Sequence, residues 1–278
     1  MLEVLQETII DGLKLIPFLF IAYLIMEYIE HKTSDKSKDF IKKSGKFGPA
    51  IGGMLGIFPQ WGFSAIAANL YAGRIITIGT LIAVFLSTSD EMLPIMISEA
   101  VPLVTILRIL GIKLAIGIIL GFVIDLIFRK KEEGEKAIEN LCEHEHCHCE
   151  EGILKSALTH TVKIFAFIFI ISLILNTVIN FVGEDTLSSL ILNKPVLGPV
   201  ISGLIGIIPN CASSVILTEL YLSNVISLGS MIAGLLIGSG VGILVLFKVN
   251  NNLKENLKIL GILYLISVVA GITIEILM

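Results

Sequence analysis

The sequence predicts an all-α polytopic membrane protein with two inverted structural repeats. Each repeat is expected to hold about three full spans plus a broken or re-entrant helix hairpin. Three observations carry this: long apolar runs, a repeat at a fixed offset of 150 residues, and proline and glycine breaks at matching positions. The 278 residues are 55% hydrophobic and have a mean hydropathy of +0.91, too apolar for an ordinary soluble domain. Runs at 13–26 and 163–182 approach or reach the ~20 residues that cross a bilayer. A closed barrel would show alternating strands instead. The opening residues MLEVLQE are acidic and no small-residue cleavage site follows, so no cleavable signal peptide is expected. The net charge of −4 decides little, because the placement of lysines matters more than their sum.

The repeat appears when 48–91 is set over 198–241 without a gap. Identities include Gly48/Gly198, Pro49/Pro199, Gly53/Gly203, Gly56/Gly206, Pro59/Pro209, Ser64/Ser214, Tyr71/Tyr221, Gly79/Gly229, Ala83/Ala233 and Ser89/Ser239. Chance alignment of apolar sequence does not explain matched prolines and glycines. The earlier helices correspond loosely around Lys14 and Lys163. The expected organisation is a first transmembrane repeat at 1–128, a cytoplasmic Cys/His/Glu-rich loop at 129–152 and a second repeat at 153–278.

Within each repeat, two apolar stretches of about eleven residues flank a break, at Pro59 and Gln60 and again at Pro209 and Asn210. At ~1.5 Å per residue each arm spans ~16 Å, about half the hydrocarbon thickness. That suits a re-entrant hairpin with its tip at the midplane; a single kinked span over 48–71 or 198–221 is the alternative. With hairpins, most cations fall on one side, including Lys32, Lys42, Arg74, Arg129, Lys155, Lys248 and Lys258. Lys14, Arg108, Lys113 and Lys194 then lie toward the other, and Lys163 lies inside a span. The bias favours hairpins, inverted halves, a cytoplasmic central loop and both termini outside. Counting hairpin arms, the chain has ten apolar segments. Internal repeats with broken apolar segments are a transporter signature, and the breaks point to the binding site.

The second break of the first half is FLSTSDEMLP, 85–94. Ser89, Asp90 and Glu91 interrupt an apolar run that resumes at 93–97, and an ionisable residue in a membrane segment points to function. The bland reading is a solvated helix end. The matching stretch, 236–247, offers Gly238, Ser239, Gly240 and Gly242, read as exposed backbone or as a packing face. The hairpin tips offer Gln60, Trp61 and Ser64, and Asn210, Cys211, Ser213 and Ser214. Amide, hydroxyl and carboxylate oxygens suit Mn²⁺, Fe²⁺ or another divalent cation, with Cys211 as one soft ligand or simply a small buried hydrophobe. Glu219 and Asn69 read as polar helix ends, and Lys248 as an interface anchor.

The loop CEHEHCHCEE gathers Cys142, His144, His146, Cys147, His148 and Cys149. Cys and His are the usual ligands of Zn²⁺ and Cu⁺. The crowding suits a flexible metal-catching tract better than a structural zinc site or a disulfide framework. Being single and outside the apolar repeat, it reads as an accessory sensor or loading tract. Its plain alternative is a charged interhelical linker.

The pattern GxxxGxxPQ…STSDE, its partner GxxxGxxPN and the His/Cys-rich loop resemble the ten-transmembrane heavy-metal exporter family, whose members are labelled arsenic efflux permeases or manganese transporters. The resemblance covers nearly the whole chain and implies export of a toxic metal or metalloid from the cytoplasm across the cell membrane. Arsenite is captured by thiols, and the membrane part holds just Cys211, which moves the expectation toward a divalent cation such as manganese. The expected protein is a secondary-active exporter with Gln60, Ser89, Asp90, Glu91, Asn210 and Cys211 at the transport site. It has no resident cofactor, and its coupling ion is a proton or sodium. No GxxxxGK[ST] motif is present, so an ion gradient or a partner supplies the energy. Arsenite efflux, a membrane-embedded metal sensor that transports nothing, and carriage of an organic carboxylate are the alternatives. An enzyme is not expected, since no nucleophile–base pair or HExxH motif appears. The partners implied are the metal and the bilayer, with no nucleic acid; a homodimer stays open.

Overall fold

The computed structural model describes residues 9–10, 13, 16–17, 20–21, 24, 47–58, 61–89, 92–128, 153–182 and 196–277. Every regular element among them is an α-helix. The described positions between 9 and 24 are helical. Then follow α1 (Gly48–Gly56), α2 (Trp61–Ala72), α3 (Ile78–Ser87), α4 (Met92–Ser98) and α5 (Leu103–Phe128). After α6 (Ile153–Val182) come α7 (Leu197–Gly206), α8 (Cys211–Leu222), α9 (Leu228–Ile237), α10 (Val241–Val249) and α11 (Leu253–Leu277). The starts of α2, α3 and α5 recur at α8, α9 and α11 with the 150-residue offset seen in the sequence. Among the described residues, four helical stretches are long and apolar enough to cross a membrane: Ile78–Ser98, Leu103–Phe128, Leu228–Val249 and Leu253–Leu277.

Each half is organised by glycines where helices nearly touch. A Cβ on Gly48 would strike Thr80, one on Gly52 would lie 3.0 Å from Val84, and one on Gly56 would strike Ser87. So α1 and α3 run parallel with their starts level. The chain between them, which contains α2, must double back to the level where α1 began. In the second half a Cβ on Gly206 would lie 2.6 Å from Ile237, and one on Gly234 would lie 2.8 Å from the Ser202 carbonyl, so α7 and α9 are also parallel. The return helix α5 runs antiparallel to α3. A Cβ on Gly121 would meet the Gly79 carbonyl at 2.7 Å, Pro49 at 2.9 Å and Ala83 at 3.0 Å. The equivalent Cβ on Gly271 would meet the Gly229 carbonyl at 2.6 Å, Ala233 at 2.6 Å and Pro199 at 3.1 Å. Small residues thus let the backbones close up, as association between membrane helices requires when hydrophobic drive is absent.

The two innermost helices are α3, with all ten residues buried, and α9, with nine of ten buried. They pack on each other. Between the halves the contacts are reciprocal: α2 packs on α10 and α8 on α4, while α3 touches α11 and α9 touches α5. The outer helices bury a single stripe. In α5 it is Ile106, Ile109, Leu110, Lys113, Gly117, Gly121, Ile124 and Asp125; in α11 it is Asn256, Ile259, Leu263, Ser267 and Gly271. Their other faces show Val104, Leu126, Ile276 and Leu277 at 73–81% exposure, an apolar coat that only lipid solvates well.

Caps explain the inner helix starts. Thr77 and Ser227 cap α3 and α9, accepting from the backbone N–H of Thr80 and of Ser230, each at 3.2 Å. The buried Asp125 of α5 adds a carboxylate to the α3 start, accepting from the Gly79 N–H at 2.8 Å and from the Thr77 hydroxyl at 2.7 Å. Negative charge at a helix N-terminus is favourable. Glu275 stands at the corresponding place, 2.6 Å from a Cβ built on Gly229.

Candidate functional site

At the end of α3 the helix stops against its own hydroxyls. The Ser87 Oγ donates to the Ala83 carbonyl at 2.7 Å and the Thr88 Oγ1 to the Val84 carbonyl at 2.8 Å. Thr88 then leaves the helical region, with φ −55° and ψ 126°. The Ser89 hydroxyl donates to the Ile57 carbonyl, tying this break to the turn between α1 and α2. Ser87, Thr88, Ser89 and Met92 are all buried. The solvated-helix-end reading therefore fails for the described residues on both sides of the acid pair. Asp90 and Glu91 themselves lie outside the described residues, as do Pro59 and Gln60.

The second half breaks its helix by another means. Gly240 takes φ 53° and ψ −138°, a conformation that side chains with a Cβ disfavour. This glycine makes the break between α9 and α10 within the stretch Leu228–Val249. Gly242 serves packing: a Cβ there would lie 2.7 Å from the Ser64 Cβ of α2. At the turn between α7 and α8, the Asn210 Oδ1 accepts from the Ala212 N–H at 3.0 Å and caps α8. The Ser213 hydroxyl donates to the Asn210 carbonyl at 2.7 Å and the Ile208 carbonyl at 3.1 Å. Asn210, Ser213, Ser214 and Ser64 are buried. Cys211 opens α8, but its side chain lies outside the described residues.

The centre holds a group that sequence reasoning misplaced. Lys113 was expected toward one flank of the membrane. Instead α5 runs unbroken past it, and the residue is 1% exposed. Its Nζ donates to the Thr88 carbonyl at the end of α3 and, at 2.8 Å, to the Leu235 carbonyl near the end of α9. One ammonium therefore joins the ends of the two inner helices across the repeat. The signal was present: Lys113 shares the heptad-like stripe with Ile106, Ile109, Gly117 and Gly121, the inner face of α5.

A second polar cluster also crosses between the halves. Arg74, in the turn after α2, grips Glu255 of α11 with two bonds, 2.6 and 2.8 Å long. The Tyr71 hydroxyl donates to the same carboxylate. Asn250 and Asn256 complete the corner, with the Asn250 Nδ2 2.7 Å from the Asn256 Oδ1 and 3.4 Å from Glu255. The carboxylate pushes the Arg74 guanidinium pKa still higher, so this arginine stays charged. Tyr71 and Arg74 correspond by the repeat to Tyr221 and Asn224, while Glu255 corresponds to Thr105, so the ion pair has no sequence counterpart.

One other expectation changes. Asn69 is no polar helix end: it is 1% exposed, its amide donates to the Ala65 carbonyl at 2.9 Å, and its Oδ1 has no hydrogen-bond partner among the described residues. Its match Glu219 is exposed, as a helix end should be. Lys248 lies 5.1 Å from the Phe167 ring centroid of α6, a cation–π contact. Among the described residues, no group of three or more His, Cys, Asp and Glu side chains could hold a metal. The residues Cys142, His144, His146, Cys147, His148 and Cys149 lie outside them.

These features define a polytopic α-helical membrane protein whose halves each bring a broken helix to a shared buried centre. The chain belongs to the family described as "Putative, 10TM heavy-metal exporter", whose model matches residues 2–185. That family is one of transporters, not a class of enzyme. Neither a curated protein nor a solved structure matches the chain.

Proposed function

We propose that this protein is a secondary-active exporter of a divalent transition metal such as Mn²⁺, working in the cell membrane by alternating access. The observation that carries the reading is the junction of the two inner helix ends at Lys113, with Ser89 tied to the turn beside it. Broken helices meeting at a buried polar centre are how transporters expose carbonyls and helix ends to an ion. Ser89, Asp90 and Glu91 would meet the metal from one half, with Gln60 from its hairpin tip. Asn210 and Cys211 would meet it from the other. Asn210 caps α8 through its Oδ1, which holds this amide at the turn between α7 and α8. Asp90 and Glu91 either ligate the metal or exchange protons for it, so a proton or sodium gradient drives the cycle.

We read α1–α2 and α7–α8 as re-entrant hairpins and the halves as inverted. The parallel α1 and α3 with level starts, and the reciprocal contacts between halves, support this. Both termini would then lie outside and the Cys/His loop in the cytoplasm, where it would load or sense metal. Lys113 also favours a second reading, because a buried cation suits an oxyanion or carboxylate. Arsenite captured by Cys211 belongs to that alternative.

The test is flux in proteoliposomes with Mn²⁺, Fe²⁺, Zn²⁺ and arsenite, for wild type, Asp90→Asn and a deletion of 142–149. Divalent flux lost in Asp90→Asn and kept without the loop is expected. Arsenite flux that ignores Asp90 would sink the divalent reading. Metal binding that vanishes with the loop, with no flux, would make the protein a sensor.

A further inference from the structure

The unexplained feature is a lysine standing where a cation transporter would hold its cargo. Leu235 lies in the last turn of α9, and a helix leaves its last four carbonyls without backbone donors. Thr88 is the C-cap of α3. Both oxygens sit at the negative ends of helix dipoles, and main-chain carbonyls are ordinary ligands of hard cations. The ammonium of Lys113 takes both of them at once. The arrangement exists on one side of the repeat only: Lys113 corresponds to Leu263, and Leu235 to Phe85, both buried apolar side chains. Lys113 therefore brings a tethered positive charge to these two carbonyls. It sits on a flexible four-carbon stem, which can withdraw as a guanidinium fork held by several bonds cannot.

We infer that Lys113 is a built-in competitor of the transported cation, its ammonium and the metal taking turns on the Thr88 and Leu235 carbonyls. This rests on the divalent-exporter reading. A divalent ion and an ammonium repel at van der Waals distance, so the two do not share these oxygens. Metal entry pushes the lysine off. Metal release lets it return and hold the ends of α3 and α9 together while the empty carrier resets. Lys113 thus weakens binding and enables turnover. It is a positioning residue whose removal separates the two.

The experiment compares wild type with Lys113→Gln. Equilibrium binding of ⁵⁴Mn²⁺ to the purified full chain is measured beside two fluxes in proteoliposomes, Mn²⁺-for-Mn²⁺ exchange and net efflux. The expected result is binding about tenfold tighter or more, with exchange retained and net efflux reduced at least about tenfold more than exchange. Unchanged or weaker binding overturns the inference, as does loss of exchange together with net efflux, the signature of a mere strut. Should the glutamine variant fail to fold, Lys113→Arg decides. Its guanidinium keeps the charge and holds the carbonyls more rigidly, so Mn²⁺ must bind at least about threefold more weakly, and equal or tighter binding overturns the inference. Wild type that binds no divalent cation defeats the exporter reading and this inference with it. Wild type that binds Mn²⁺ as tightly as Lys113→Gln defeats this inference alone.

Discussion

The Arg74–Glu255 pair offers the sharpest test of how the halves are fastened. Its side chains are 30% and 20% exposed, so it is neither a surface ion pair nor a fully buried one. Exposed pairs contribute about 0–1 kcal/mol, and removing one partner of a buried pair costs about 3–5 kcal/mol. Two direct bonds, 2.6 and 2.8 Å long, in a fork geometry place this pair between those limits, at about 2 kcal/mol. The two single variants should differ. Arg74→Gln leaves the carboxylate with Tyr71 and Asn250, and should cost about 1.5 kcal/mol. Glu255→Gln strands a guanidinium that is always charged, and should cost about 2–3 kcal/mol. The double variant should cost less than the sum, with a coupling of about 1.5 kcal/mol. Unfolding of the purified protein in mixed micelles, titrated with a denaturing detergent, measures all four corners of the cycle. Half a molar salt should leave most of the coupling in place, because partly buried pairs are screened less than exposed ones. A coupling below about 0.5 kcal/mol, or equal costs for the two single variants, would refute the reasoning.

Other expectations use the same assay. Replacing Asn224 and Thr105 by Arg and Glu together should add a second latch at the repeat-related corner, stabilising by about 0.5–1 kcal/mol more than the two single changes summed; plain additivity would show that the corners do not correspond. Gly240→Ala should cost about 1–2 kcal/mol because of its φ of 53°, whereas Gly238→Ala should cost no more than about 0.5 kcal/mol, as its φ is −65° and the nearest atom to a Cβ is 3.4 Å away. Gly121→Ala should loosen the α3–α5 contact by about 2 kcal/mol, while Gly111→Ala, with nothing within 4 Å of the new Cβ, should be neutral or slightly stabilising; equal effects would count against the close helix contact. Asp125→Asn should keep an acceptor for the Gly79 N–H but lose the charge and the acceptor for the Thr77 hydroxyl, costing about 1 kcal/mol against about 2 kcal/mol for Asp125→Ala.

Much of the architecture was readable from spacing. The matched breaks at 59–60 and 209–210 mark the turns that separate α1 from α2 and α7 from α8, because a proline beyond the first turn interrupts a helix, while the matched Gly-Pro pairs fall in the first turns of α1 and α7, where proline is tolerated. Lys113 was not read, although it lies on the inner stripe of α5, because charge alone was used to sort it to a membrane flank. Asn69 was misread likewise: a polar residue late in an apolar helix resembles an end, and only packing by α10 and α3 on α2 makes it interior.

By itself the sequence determined the class, the segment lengths and the offset between the halves. These depend on hydropathy and on backbone stereochemistry, which act over a few neighbouring residues. Which carbonyls meet Lys113, which carboxylate meets Arg74, and which half supplies each were decided only by the tertiary structure. Those partners stand 25, 122 and 181 positions apart in the chain, and no local rule of propensity or periodicity reaches that far.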